Sequence, residues 1–256
     1  MRYIIEIATS NYASTAAAVK GGASRLELCS ALSEGGLTPS YGYLIKCRQD
    51  FDIPMFPIIR PRGGDFLYTE EEFEMIKKDV VFCREANFEG IVTGLLSEDG
   101  SVDKERLSAI VELAYPMEVT FHRAFDRCKN PFEALEDIIS AGCKRILTSG
   151  QKLKAPQGAN LIEDLIAVAS QRIIIMPGSG VRKENIATLA KQTGAREFHS
   201  SLRSVSRSNM EFIHPSFANH AGDYVYETIE PREVRALFEA LGQNITTDLL
   251  TTPIDE

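Results

Sequence analysis

The chain has 256 residues, 28 Lys and Arg against 36 Asp and Glu, a formal net charge of −8 and 44% hydrophobic residues. The acidic surplus argues against a nucleic-acid partner, whose phosphates need a basic footprint, but leaves room for a local basic pocket that takes a small anion. No apolar run approaches the roughly 18 residues needed to span a bilayer, so the sequence predicts no membrane partner.

Arg2 to Ile7 reads as a strand and not as a charged head before an apolar leader. Five cysteines at irregular spacing, with no C-x-x-C, argue against a disulfide framework and point to a reducing cytoplasm. In chain order, strands are predicted near Tyr3–Ala8, Arg25–Cys29, Met55–Arg60, Gly90–Thr93, Glu118–His122, Arg145–Thr148, Arg172–Met176 and Glu197–His199. Between them, apolar residues recur at helical spacing, as in Phe73, Ile76, Val80 and Val81, or Leu161, Leu165, Ile166 and Ala169. Gly21-Gly22, Gly142 and Gly194 sit where a helix ends just before a strand.

Eight βα units in 256 residues average about 32 each, close to the roughly 250 residues of a closed (β/α)8 barrel. The predicted fold is therefore α/β, a TIM barrel over residues 1–242, with a polar tail over 243–256. An open doubly wound sheet is the alternative, but Ala8-Thr9-Ser10 after the first strand carries no glycine fingerprint. Ser200 to Glu230 is long for a βα loop and precedes a last helix near Pro231–Leu241.

In such a barrel the C-terminal strand ends share one face, where active sites lie. Those ends present Glu6, Glu27 with Cys29, Arg60 with Arg62, Thr93, His122 with Arg123 and Asp126, Ser149, and His199 with Ser200. Strand alternation aims Glu6, Glu27, Arg60 and His122 inward. One reading is an internal ion-pair network that satisfies itself. The other makes Arg60 and Arg62 anion clamps, His122 a general acid/base, and Glu6 or Glu27 the base or its orienting partner. Gly178-Ser179-Gly180 and Ser200 occupy the place where many barrels bind phosphate. Cys29 is either a soft ligand for Cu(I) or an apolar packing residue. Cys47, Cys83 and Cys143 read as core, Cys128 as lying near the mouth, and His214 and His220 as loop surface residues.

The segments Glu27–Ser40, Ile58–Phe66, Val119–Asp126, Arg145–Gly150 and Met176–Gly180 together resemble the CutC family, over about Tyr3 to Leu241. The resemblance implies a cytoplasmic (β/α)8 barrel linked to copper homeostasis, Cu(I) binding and a homodimer. Relatives often carry a cysteine at the end of the first strand; this chain has Ala8, so of that pair only Cys29 carries over. The mouth residues shared with the family are Glu6, Glu27, Arg60, Arg62, His122, Arg123 and Asp126. Two expectations follow: a copper-handling protein using Cys29, or a barrel enzyme acting on a small anionic or phosphorylated substrate.

Overall fold

The computed structural model describes residues 2–217 and 221–243. His220 and the predicted tail beyond Gln243 lie outside the described residues. Strands β1 (Ile4–Thr9), β2 (Arg25–Leu28), β3 (Met55–Pro57), β4 (Gly90–Thr93), β5 (Glu118–Phe121), β6 (Arg145–Thr148), β7 (Ile174–Pro177) and β8 (Glu197–Ser200) run parallel. Each is followed by its helix: α1 (Tyr12–Lys20), α2 (Tyr41–Asp50), α3 (Glu70–Glu85), α4 (Lys104–Ala114), α5 (Pro131–Ala141), α6 (Ala159–Ala169), α7 (Ile186–Thr193) and α8 (Pro231–Ala240).

The strands form two arcs, β3-β2-β1-β8 and β4-β5-β6-β7. At the β3/β4 seam the Ile58–Val92 bridge and the bond from Ile59 N–H to Val92 C=O join them. At the β7/β8 seam no ladder forms among the described residues; Pro177 at the end of β7 has no N–H to give, and the strands meet through side-chain contact, as where Gly178 lies against His199. This is the predicted (β/α)8 barrel with one seam left without hydrogen bonds, and the doubly wound alternative is excluded.

Helix starts are explained locally. Thr69 and Glu72 form a reciprocal capping box on α3, and Asn130 caps α5 ahead of Pro131. Gly142 and Gly194 end α5 and α7 in the left-handed conformation; after α1 that conformation falls on Gly22 and not on Gly21. The seventh strand begins two residues later than predicted, because Ser170 and Gln171 both adopt positive φ and turn the chain out of α6. The long segment after β8 contains a hairpin, β9 (Ser204–Arg207) paired antiparallel with β10 (Val225–Thr228). Gln243, predicted as tail, receives a bond from Tyr3 N–H at 2.7 Å and so ties the end of the barrel to its start.

The strands carry apolar side chains outward against the helices, which is the main core. The barrel interior is polar and ionic. Register explains it: Glu6 pairs with Arg25 on β2 and with His199 on β8, so three ionisable side chains meet in one layer. Arg25 and Arg145 share Glu197, Arg145 also reaches Glu118, and both guanidiniums stack on Phe56, 5.0 and 5.1 Å from its centroid.

Candidate functional site

Above this layer the barrel mouth holds a cavity of about 710 Å³. Its wall on β2 and β8 carries Glu27 and His199; the wall at β3 and β5 carries Arg60, Phe66, His122 and Arg123; the loops after β6 to β8 add Lys154, Ser179, Gly180, Arg182, Ser201 and Arg203.

His199 donates from Nδ1 to Glu6 Oε1 at 2.8 Å, which leaves Nε2 3.7 Å from the Glu27 carboxylate. Burial opposes charge on His199, but the Glu6 hydrogen bond and the charges of Glu27 and Glu6 outweigh it and raise its pKa. Burial raises Glu27 too, and the neighbouring Glu6 charge adds to it. Glu6 itself is held well below the usual carboxylate range: burial works against it, but Arg25 at 2.5 Å and His199 prevail. Of the two roles the sequence left open to Glu6, base or orienting partner, its bonds to Arg25 and His199 favour the second. Glu6 lies under the cavity as the orienting partner of His199, and Glu27 with His199 forms the proton-holding couple.

His122 follows β5 and its Nδ1 accepts the Ala124 N–H at 3.2 Å. That places the imidazole hydrogen on Nε2, which is buried and has no hydrogen-bond partner among the described residues, in a ring that lines the cavity. Burial, with the charges of Arg60 and Arg123, pushes its pKa down to about 3. The predicted general acid/base is instead a neutral hydrogen-bond donor. Gly94 makes the position possible, since a Cβ there would lie 2.5 Å from His122 Nδ1.

Arg60 is 4% exposed and has no carboxylate within ion-pair reach among the described residues. Its terminal nitrogens donate to the carbonyls of Glu34 (2.6 Å), Gly36 (3.1 Å) and Gly64 (2.8 Å), while Nε is buried and unpartnered. Phe66 lies between Arg60 and His122, 4.9 Å from the guanidinium carbon and 4.8 Å from the imidazole centroid. Arg60 is thus a clip for two loops, with the Tyr68 side chain beside its guanidinium, and not the two-pronged clamp expected. The predicted meeting of Arg60 with Glu6 or Glu27 does not occur at bonding distance; the carboxylates are taken by Arg25 and His199.

Other predicted residues are corrected by where their side chains go. Arg62 leaves the cavity and is bound to Glu72 (2.5 Å) and Asp65 (3.0 Å). Asp126 accepts from Arg123 Nε, Thr148 Oγ1 and the Ser149 and Gln151 N–H groups, so it fixes Arg123 and faces no ligand. Ser149 is consumed by Asp126 and the Lys152 carbonyl. Ser200 donates to the Val181 carbonyl, and Ser201 takes the place expected for it. Gly178 sits under Leu147 and His199, whereas Ser179 and Gly180 reach the cavity as predicted. Lys154, Arg182 and Arg203 went unpredicted: each is a loop cation with no periodic neighbour to say which way it turns.

A sequence profile of the CutC family matches residues 3–204. The chain belongs to the CutC family. It is 48% identical over 246 residues to a family protein CutC from Chromobacterium violaceum, covering 95% of this chain and all of that one. It is 42% identical to a copper homeostasis protein cutC homolog from Homo sapiens, covering 95% and 90%. A CutC structure from Streptococcus agalactiae superposes with TM-score 0.74 at 29% identity, covering 78% of this chain and 98% of that one. A phosphoribosylanthranilate isomerase from Pyrococcus furiosus shares the fold at TM-score 0.54 and 12% identity, covering 94% and 99%.

The family resemblance implies copper, so the donor set matters. Cys29 is fully buried in a small cluster with Ala8, Phe56, Ile58 and Val92. Burial, with the Glu27 carboxylate beside it, pushes its thiol well above the ordinary range, whereas the thiolate is the metal ligand. Among the described residues no three His, Cys, Asp or Glu side chains are grouped to hold a metal. Among the described residues this CutC-family barrel offers Cu(I) at Cys29 one protonated thiol with no second sulfur grouped beside it, and the residues do not fit a copper centre. Cys47, Cys83 and Cys143 are core as predicted; Cys128, placed near the mouth, is buried.

Proposed function

We propose that the chain serves copper homeostasis, as named for its human relative, and that its molecular task is to bind a small anionic ligand at the barrel mouth, beside groups able to move a proton. The observation that carries the reading is charge: Arg60, Arg123, Lys154, Arg182 and Arg203 line the cavity against Glu27 and Glu184, in a chain whose net charge is −8. Arg123 and Arg203 are answered by Asp126 and Glu227. Lys154 and Arg182 have no carboxylate within ion-pair reach among the described residues, and Arg182 spends Nη1 on the Val181 carbonyl and Ser200 Oγ. A concave low-dielectric site focuses such a field on anions.

Phosphate at ten times its Kd is expected to stabilise the protein by about 1.4 kcal/mol over chloride at equal ionic strength, roughly 3–6 °C in Tm for a chain of this size. The Lys154→Ala/Arg182→Ala double variant should lose most of that shift. Equal phosphate responses in the two proteins reject the reading.

Cu(I) association at Cys29 is proposed to be weak, because the thiol is buried, protonated and alone. Anaerobic titration against a competing chelator checks it; tight one-to-one binding abolished by Cys29→Ala overturns it. Five free cysteines support a reducing cytoplasmic location, and no helix among the described residues is long and apolar enough to cross a membrane. We infer a homodimer, in which a second copy covers the exposed Val205, Met210, Phe212 and Tyr226 of the segment that includes the β9–β10 hairpin. Light scattering at micromolar concentration that returns only a monomer mass rejects it.

A further inference from the structure

The next step rests on the anion-binding reading of the mouth and names the class of ligand. The two ends of the cavity differ in what they offer. Toward the loops after β6 and β7 stand two cations without carboxylate partners, Lys154 and Arg182, beside Ser179 and Gly180. The stem of Lys154 packs against Gly180, where a Cβ would come within 3.0 Å of it. Two cations on one wall match a dianionic phosphate.

The opposite end is built for something less charged. His122 is 4% exposed and lines the cavity beside Phe66, with its Nε2–H buried and unpartnered among the described residues. The His122 hydrogen is fixed on Nε2 by the Ala124 amide. A buried N–H with no protein acceptor suits a lone pair of a ligand oxygen. Between the two ends, on β2 and β8, Glu27 and His199 form the proton-holding couple, with His199 oriented by Glu6.

We propose that the cavity takes a small phosphomonoester bearing a carbonyl group. Its phosphate lies toward Lys154 and Arg182, its carbonyl oxygen on the Nε2–H of His122, and the Glu27–His199 couple exchanges the proton on the carbon next to that carbonyl. In the step a C–H bond breaks and its proton passes to the couple. The bonding pair becomes the C=C of an enolate, and the carbonyl π pair moves onto the oxygen, where the His122 N–H holds it. Return of a proton to carbon closes the cycle, and no oxidant or reductant takes part. A neutral imidazole donor facing a carboxylate base is a known solution for enolising a carbonyl.

The test is proton exchange in D2O, followed by NMR, with dihydroxyacetone phosphate and ribulose 5-phosphate as probes. Wild type is expected to wash deuterium into the carbon beside the carbonyl of at least one probe. Glu27→Gln and His122→Phe should each slow this by about 100-fold while keeping the thermal shift with inorganic phosphate. Lys154→Ala, an exposed side chain outside the core, should raise the half-saturating probe concentration by about tenfold with little change in the maximal rate. Phosphate protection without exchange of either probe overturns the ligand class and leaves the anion site standing. Exchange that is indifferent to Glu27→Gln overturns the assignment of the couple. Absence of phosphate protection removes both readings.

Discussion

Arg25→Met is expected to lower stability by about 3–5 kcal/mol, the usual cost of removing one partner from a buried ion pair. Arg25 sits 6% exposed inside the barrel, 2.5 Å from Glu6 and 2.8 Å from Glu197, with its guanidinium stacked on Phe56. Methionine matches much of the volume but leaves Glu6, which is fully buried, with His199 as its one charged neighbour. The loss should also depend on pH. Glu6 has a folded pKa below its ordinary value of 4.5, so the stability it contributes is present above about 4.5 and is lost as pH falls toward the folded value. Urea unfolding at pH 7 and again below pH 4.5 checks both parts; the difference between wild type and variant should shrink in acid. A loss under about 1 kcal/mol at neutral pH means that Glu6 takes up a proton or finds another partner at little cost, and the network is then not the barrel's internal brace.

Gly90→Ala is expected to cost about 3 kcal/mol, the upper end of ordinary overpacking. A Cβ there would fall 2.1 Å from the Phe56 ring and 2.6 Å from the Glu118 carbonyl oxygen. The backbone oxygen belongs to the β4/β5 ladder, and the ring is clamped between Arg25 and Arg145, so neither neighbour yields easily. Phe56→Leu should free room for the methyl group, and the double variant should therefore be less destabilised than the sum of the two single ones. Strict additivity in denaturant unfolding contradicts the clash.

Much of the fold follows from the chain read alone. Period-2 and period-3.6 patterns, with glycines at helix ends, specify eight βα units because each pattern is local and repeats in register with the backbone geometry. Once those units close into a barrel, every strand end meets at one face, so the neighbourhood of Glu27, Arg60, His122 and His199 was legible too. What each side chain does there was not. Arg60 and Arg62 stand two residues apart on the same segment, yet one turns inward to three carbonyls and the other outward to Glu72 and Asp65. Glu6 and Glu27 are each the third residue of their strands, yet the register sets Glu27 opposite Ala8, gives Glu6 to Arg25 and leaves Glu27 beside His199. The protonation states diverge for the same reason: His122 and His199 are one residue type, and the backbone amide of Ala124 on one and the carboxylate of Glu6 on the other make the first a neutral donor and the second a proton holder. Residue type and spacing determine which groups arrive at the mouth. Electrostatic partners come from distant parts of the chain, so only the tertiary structure decides which groups are spent on the fold and which remain for a ligand.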